Sequence, residues 1–280
     1  MASADFLWMT EIVILPKDQS VELLPTSAAF AHGVGLFETL SIRDGALQFW
    51  EAHWERLNAS AAALGLDLEV SAEGVLREMA RLVSADAIVN GTVKLSLLKE
   101  ATGTRLFIYS RPMSSIPDEV KVIFSSEYPI NQRGLLSGHK THNYMEAMTL
   151  FARARRDGFA DRIRLNVDGA LAEGCVSNLF FIIDGQLCTP ADVCGVLPGV
   201  VRGALIECFE VNCAFYQPDV LERAEAVFLT NASWGILPVS VLELEKESRH
   251  LDSAAHPLIQ RLTRQLLDIR AENARVLNDV

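Results

Sequence analysis

Cysteine is scarce and unevenly placed in this chain of 280 residues. Its five cysteines stand at positions 175, 188, 194, 208 and 213, all in the second half, and no two have Cys-x-x-Cys spacing. The number is odd, and the histidines that would complete a zinc site are missing nearby. The sequence therefore predicts free thiols, no metal site and a reducing compartment, which we take to be the cytoplasm.

Basic residues are in the minority, and long apolar runs are absent. The chain has 25 Lys and Arg against 36 Asp and Glu, a formal net charge of −11. This balance argues against binding along a nucleic acid backbone, although it allows a local anion site. No stretch is long and apolar enough to span a bilayer, and residues 1–10 do not read as a secretory signal. We therefore expect neither nucleic acid nor membrane as a partner.

Strand-like and helix-like segments alternate, and half of the residues are hydrophobic, which is enough for a sizeable core. The predicted strands span 11–15, 37–42, 46–49, 93–98, 106–109, 120–124, 162–166 and 179–183. The predicted helices span 51–64, with Gly65 as its C-cap, 72–83, 143–156, 200–209 and 255–278. Two prolines and two serines within 111–118 mark a linker. We predict an α/β (α+β) chain with domains at 1–112 and 119–280 and a linker at 113–118.

Two residues in the second half have the type and setting of catalytic groups. Lys140 stands where a glycine-containing loop meets a predicted helix. A lysine there can serve as a Schiff-base nucleophile, although single lysines are more often solvated surface charges. Glu173 lies between a turn at 168–169 and a hydrophobic strand. It is either a loop carboxylate or the partner of a protonated pyridine nitrogen.

Two further segments could bind a phosphate. The glycine-rich run 195–203 (GVLPGVVRG) leads directly into a predicted helix, whose first amides and dipole favour an anion. An ordinary turn before a helix has the same pattern. Arg56, on the helix predicted at 51–64, could reach a phosphate with its guanidinium, or it could simply face solvent.

Taken together and in this order, these segments resemble the class IV aminotransferases, the pyridoxal 5'-phosphate (PLP) enzymes of fold type IV. That family includes branched-chain and D-amino-acid aminotransferases and 4-amino-4-deoxychorismate lyase. The resemblance runs from about residue 31 to residue 239. It rests on 35–39 (GLFET), 53–57 (HWERL), 140–144 (KTHNY), 173–180 (EGCVSNLF), 195–202 (GVLPGVVR) and 230–239 (TNASWGILPV).

The resemblance implies a two-domain fold like that of D-amino-acid aminotransferase, with PLP as cofactor. It implies that Lys140 holds PLP as a Schiff base and acts as general base, and that Glu173 faces the pyridine nitrogen. It assigns the phosphate to Arg56, the amides of Val200 and Val201, and the turn of Asn231 and Ala232. Tyr144 would hydrogen-bond the phenolic oxygen of the cofactor. The implied protein is a homodimer that acts on a small amino substrate.

Three functions remain open on the sequence. The first is a lyase that forms 4-aminobenzoate and pyruvate, because residues 35–39 and 174–181 resemble that branch most closely. This function would place the chain in folate biosynthesis. Thr39 would then relay a proton to the leaving pyruvate, although it equally fits a β-branched strand residue. The second is an aminotransferase for branched-chain or D-amino acids. The third is a non-catalytic PLP-binding protein, which would not need Lys140, Glu173 and Arg56 together.

The loop at 99–107 departs from both catalytic branches. It lacks the Arg-x-His pattern of D-amino-acid aminotransferases, because Phe107 stands at the histidine position, and it lacks the Ser-Arg-Gly pattern common in the lyases. Arg105 could bind a substrate carboxylate or be an ordinary loop arginine. We expect Arg105 and Phe107 to shape the substrate pocket.

Overall fold

The computed structural model describes residues 10–113 and 115–277. Most of the N-terminal stretch considered for a signal, Ser114 of the predicted linker and the last residue of the final predicted helix lie outside the described residues. Contacts divide the described chain into two units. The first comprises 10–113, Lys140–Asn143 and 273–277, and the second comprises 115–139 and 144–272. Across these ranges, no helix combines the length and apolar character that a membrane crossing requires.

The structure contains the following helices and strands, in chain order. They are β1 (Thr10–Leu15), α1 (Ala28–His32), β2 (Gly35–Arg43), β3 (Ala46–Gln48), α2 (Trp50–Leu64), α3 (Ala72–Ala85), β4 (Gly91–Glu100), β5 (Gly103–Pro112), β6 (Val120–Ile130), α4 (Met145–Arg156), β7 (Asp161–Asn166), β8 (Leu171–Gly174), β9 (Asn178–Ile183), β10 (Gln186–Pro190), a 3-10 turn (Asp192–Cys194), α5 (Val200–Cys208), β11 (Asn212–Ala214), α6 (Val220–Arg223), β12 (Ala226–Asn231), β13 (Gly235–Glu243), β14 (Ser248–His250), α7 (Pro257–Glu272) and β15 (Ala274–Val276).

The first unit is a six-stranded sheet with helices on one face. The strand order is β1-β5-β4-β2-β3-β15, and β1 runs parallel to β5. Alternate residues of β2, Leu36 and Leu40 among them, face the apolar sides of α2 and α3 and form the core. Because strand side chains alternate, Phe37 and Thr39 point to the opposite face of the sheet.

The second unit contains a closed ring of strands. Its strand order includes β9-β12-β13-β6-β7-β8, and β8 also pairs with β9, which closes the ring. After Asn178, β9 is a continuous apolar run: Leu179 and Phe181 pack in one cluster, while Phe180 stacks on Phe228 with a centroid distance of 5.0 Å. Both faces of this strand are therefore buried, which explains why its sequence is apolar from Leu179 to Ile183 rather than alternating.

Two sequence expectations differ from the structure. The helix predicted at 255–278 is wrong at its end, since α7 stops at Glu272 and the chain continues as β15, which pairs with β3. A long-range strand partner has overridden a local helical pattern there. The segment Lys140–Asn143, placed by sequence in the second domain, groups with the first unit. The boundary between the two units, which follows residue 113 in the described chain, falls within the predicted linker.

Candidate active site

Lys140 lies on a short segment that pairs with the free edge of β2. The N–H of Phe37 donates to the Lys140 carbonyl at 2.9 Å, and the N–H of His142 donates to the Gly35 carbonyl at 2.9 Å. Leu36 and Thr141 form an antiparallel bridge between these two bonds. A Cβ at Gly35 would stand 2.6 Å from the Leu97 carbonyl oxygen of β4 and 3.1 Å from the ring of His142, so glycine is required for β2 to approach both neighbours. These bonds explain why Lys140 belongs to the first unit.

The side chain of Lys140 lies over the ring of Phe37. Its Nζ is 4.3 Å from the ring centroid, and the Nζ of Lys94 is 4.7 Å from the same centroid. Lys94 is directly opposite Thr39 in the register of β2 and β4. The face of the sheet away from the helices therefore gathers an amine, a second cation and a threonine around one aromatic ring. Within the described residues, no carboxylate pairs with Lys94.

The same unit contains an apolar pocket of about 500 Å³. Phe107 and His142 contribute to its wall, together with Leu15, Val21, Leu23, Ala29, Phe30, Gly33, Ser96, Leu98 and Tyr109. Burial, and then the charge of Lys94, lower the pKa of His142 from 6.5 to about 4, so the imidazole is neutral at pH 7. The pocket is thus suited to an apolar group, and the role of Phe107 in substrate binding stays a prediction.

Arg105 lies on β5, directly opposite Glu11 of the edge strand β1. Its Nε is 3.1 Å from Glu11, and its guanidinium lies 4.8 Å from the centroid of Phe107. The ion pair with Glu11 is half-exposed and weak, because water screens it. A substrate carboxylate could therefore compete for Arg105. Its role in substrate binding stays a prediction.

Arg56 lies on α2, in a buried cluster with Glu38 and His53. The Nε and Nη2 of Arg56 donate to the two oxygens of Glu38 at 2.7 and 2.5 Å, and Nδ1 of His53 is 2.7 Å from Glu38. Burial alone would raise the pKa of Glu38, but Arg56 and His53 hold it at about 2. Glu38 is only 1 % exposed and escaped our sequence reasoning, because strand alternation predicts a hydrophobic residue there.

In the second unit, Glu173 is fixed by two donors on one of its oxygens. The side-chain amide of Asn178 and the backbone N–H of Leu197 both donate to Oε2, each at 2.9 Å. Glu173 and Asn178 are directly opposite each other where β8 and β9 pair. Sequence reasoning identified Glu173 and missed Asn178, since their contact depends on this pairing.

The turn between Glu173 and Asn178 is held by a buried carboxyl group. Asp161 accepts hydrogen bonds from the N–H groups of Cys175 at 2.9 Å and Val176 at 3.3 Å and from the Ser177 hydroxyl at 2.6 Å. Burial raises the pKa of Asp161, and these donors oppose that effect. The turn therefore keeps its shape through hydrogen bonds to an acceptor in the interior, which fixes the end of β8 next to Glu173.

The remaining predicted ligands lie in the second unit. Val200 and Val201 are buried at the start of α5, which begins after Gly199 without a side-chain cap, so its first amides suit an anion. The Asn231 carboxamide accepts from the N–H groups of Ser233 and Trp234 and donates to the Val176 carbonyl at 3.2 Å. This brings the turn of Asn231 and Ala232 beside the turn that follows Glu173. Tyr144 stands at the N-cap of α4 and is half-buried.

Known proteins resemble this chain over most of its length. The family model described as amino-transferase class IV matches residues 35–242. The aminodeoxychorismate lyase of Bacillus subtilis (strain 168) is 26 % identical over 247 residues, covering 81 % of this chain and 84 % of that protein. The branched-chain-amino-acid aminotransferase of Escherichia coli (strain K12) is 23 % identical over 262 residues, covering 84 % of each.

Solved structures show the same fold. The crystal structure of 4-amino-4-deoxychorismate lyase from Pseudomonas aeruginosa has a TM-score of 0.76 at 26 % identity, covering 89 % of this chain and 96 % of that one. The branched-chain aminotransferase of Escherichia coli has a TM-score of 0.80 at 20 % identity, covering 89 % of both chains, a likeness of fold. The fold type IV architecture expected from the sequence is confirmed. This chain belongs to the amino-transferase class IV family of enzymes.

Proposed function

We propose that this chain is a PLP-dependent 4-amino-4-deoxychorismate lyase that releases pyruvate and 4-aminobenzoate. The observation that supports it is the amine of Lys140 over Phe37, on the sheet face to which Thr39 also belongs. A lyase needs a base at the carbon that bears the amino group and a proton donor for the leaving group. Lys140 and Thr39 supply these two groups from one surface. The lyase relatives at 26 % identity give independent support.

The residues present fit PLP in the chemistry of their groups. In the first unit, Lys140 would bind the aldehyde and Arg56 the phosphate. In the second, Glu173 would face the ring nitrogen, Tyr144 the phenolic oxygen, and the amides of Val200 and Val201 with the Asn231 and Ala232 turn the phosphate. The uncapped amides at the start of α5 suit an anionic phosphate. The Glu173 carboxylate, held by two N–H donors, suits a pyridinium. PLP, when bound, withdraws electrons from the substrate carbon that bears nitrogen.

The protein's own groups then handle protons and position the substrate. The amine of Lys140 takes the proton from the substrate carbon, and the Phe37 ring supports that amine from one side. The hydroxyl of Thr39 passes a proton to the departing pyruvate oxygen. Lys94, opposite Thr39, offers a positive charge to a substrate carboxylate. Aminodeoxychorismate carries two carboxylates, which suits a face with such a cation.

A second candidate is an aminotransferase for an apolar amino acid. The pocket beside His142 is lined by leucine, valine and phenylalanine side chains and would accept a branched side chain. The branched-chain relative covers 84 % of this chain. The non-catalytic binder is disfavoured, because the chain belongs to a family of enzymes and retains Lys140, Glu173 and Arg56.

One experiment separates these functions. Purified protein is given aminodeoxychorismate, and pyruvate release is followed beside a panel of L-leucine, L-glutamate and D-alanine with a 2-oxo acid. The lyase releases pyruvate and leaves the amino acids unchanged, whereas an aminotransferase consumes an amino acid. Lys140→Ala is expected to abolish both the visible absorbance of bound PLP and turnover, and the matched change Lys121→Ala, at an exposed position, should alter neither. Amino-acid consumption without pyruvate release from aminodeoxychorismate would replace the lyase with the second candidate.

We further infer a cytoplasmic homodimer that serves folate biosynthesis by supplying 4-aminobenzoate. The absence of paired cysteines among the described residues is compatible with a reducing compartment. Light scattering during gel filtration should give twice the chain mass of 30.8 kDa.

A further inference from the structure

Asn178 has no assigned chemistry, yet its side chain connects two segments of the second unit. Its Nδ2 donates to Oε2 of Glu173 at 2.9 Å and to the Leu197 carbonyl at 2.8 Å. The N–H of Leu197 donates to the same Glu173 oxygen at 2.9 Å. These three bonds form a closed triangle in which each group is fixed by the other two. Asn178 itself is only 5 % exposed.

Gly199 shows how tightly the Asn178 side chain is held. A Cβ built at position 199 would overlap Oδ1 of Asn178. The backbone of Gly199 has φ −65° and ψ 138°, a conformation that any residue adopts. The glycine is therefore needed for space and not for backbone freedom. Its role is to let the carboxamide lie against the main chain just before α5.

We propose that Asn178 is the positioning residue of Glu173, fixing the direction and the ionised state of its carboxylate. This inference rests on the proposed function, in which Glu173 faces the ring nitrogen of PLP. Two N–H donors on one oxygen stabilise the carboxylate over the carboxylic acid. They also prevent rotation of the side chain, so that the carboxylate meets the pyridine nitrogen in one orientation.

The test measures the cofactor through its absorbance and its affinity, not through turnover alone. Asn178→Ala removes the two hydrogen bonds that the Asn178 amide donates, to Glu173 and to the Leu197 carbonyl, and leaves the Leu197 N–H in place. Asn178→Asp removes the same two bonds while keeping the shape of the side chain. Gly199→Ala displaces the carboxamide without changing position 178. Gly203→Ala is the matched control, because a Cβ at Gly203 in the middle of α5 meets nothing within 4 Å. Glu173→Gln gives the reference for a lost carboxylate.

The two Asn178 variants and Gly199→Ala are expected to weaken PLP binding about tenfold, as loss of a hydrogen bond to a charged group does. They should also shift the pH titration of the cofactor spectrum in the direction seen for Glu173→Gln. In the Glu173→Gln background, Asn178→Ala should change PLP affinity by less than about twofold, because its effect passes through the carboxylate. Gly203→Ala should match the wild-type protein in both measurements.

Two results would overturn the inference. One is wild-type affinity and spectrum in both Asn178 variants. The other is an equal loss of affinity from Asn178→Ala with and without Glu173, which marks a merely structural role. If the wild-type protein takes up PLP through Lys140 and the Asn178 variants bind PLP equally well, this inference alone is overturned. A wild-type chain that takes up no PLP overturns the proposed function together with it.

Discussion

Glu38 is a charged residue in the core of the first unit, and its two partners explain how it is tolerated there. Arg56 binds both carboxylate oxygens, and His53, also 1 % exposed, contacts one of them. A buried ion pair is a weak source of net stability, since desolvation offsets its attraction. The loss of one member is nevertheless costly, because it leaves a charge without compensation.

We therefore expect Glu38→Gln to destabilise the protein by about 3 kcal/mol or more. Urea unfolding followed by circular dichroism measures this loss. The matched control is Glu78→Gln, which breaks the surface pair with Arg81 and should cost less than about 1 kcal/mol. Equal losses in the two variants would show that Glu38 is not the centre of a buried network.

Lys94 allows a second prediction at the residue scale. Its ammonium shares the Phe37 ring with Lys140 and has no carboxylate partner in the described chain. Lys94→Met should raise KM for aminodeoxychorismate about tenfold, because a charge-assisted contact to a carboxylate is lost, while PLP affinity stays unchanged. Lys121→Met, at an exposed position of β6, is the control and should leave KM as it is. An unaltered KM in Lys94→Met would exclude Lys94 from substrate binding.

Among the elements, the pairing of Lys140–Asn143 with the edge of β2 decides where the reactive amine lies. Position 35 has no room for a side chain, because a Cβ there would press against both Leu97 and His142. Gly35→Ala should separate the two segments and weaken PLP uptake, at a cost of about 1–3 kcal/mol in unfolding free energy. Gly203→Ala, in open space, should be neutral or slightly stabilising. PLP titration together with urea unfolding checks both effects, and normal PLP uptake by Gly35→Ala would contradict the prediction.

At the scale of the whole molecule, buried histidines make stability sensitive to acid. Burial lowers the pKa of His53, and burial with Lys94 lowers that of His142 to about 4. Between pH 6.5 and 4 the unfolded chain binds protons that the folded chain does not, so stability falls as the pH falls. His142→Asn should remove about 1–2 kcal/mol of this dependence, a value reduced for the partial exposure of the ring. Urea unfolding at about pH 7 and about pH 4.5, on either side of the ordinary histidine pKa, tests this prediction. If the difference in unfolding free energy between the two conditions is the same in His142→Asn as in the wild-type protein, the prediction is refuted.

Several features of this protein were determined by local sequence alone. α2 and its capping residue Gly65, with φ +66°, follow from apolar spacing and the need for a left-handed C-cap. The family is identified by the order of six short motifs, because each motif encodes a turn or strand end that needs particular residues. Lys140 and Glu173 belong to those motifs. Their separate local settings could therefore be predicted from the sequence.

Only the tertiary structure decided which residues contact the predicted site residues, Arg56 and Glu173 among them. The Glu38–His53–Arg56 cluster joins a strand to a helix, and Asn178 meets Glu173 and Leu197 through a strand pairing and a distant loop. Alternation along β2 predicts a hydrophobic residue at position 38. Positions 274–276 continue a helical pattern in the sequence, but in the structure they form a strand that pairs with β3. Propensity and periodicity depend on near neighbours in the chain, whereas these contacts depend on long-range packing, which is why the sequence could not give them.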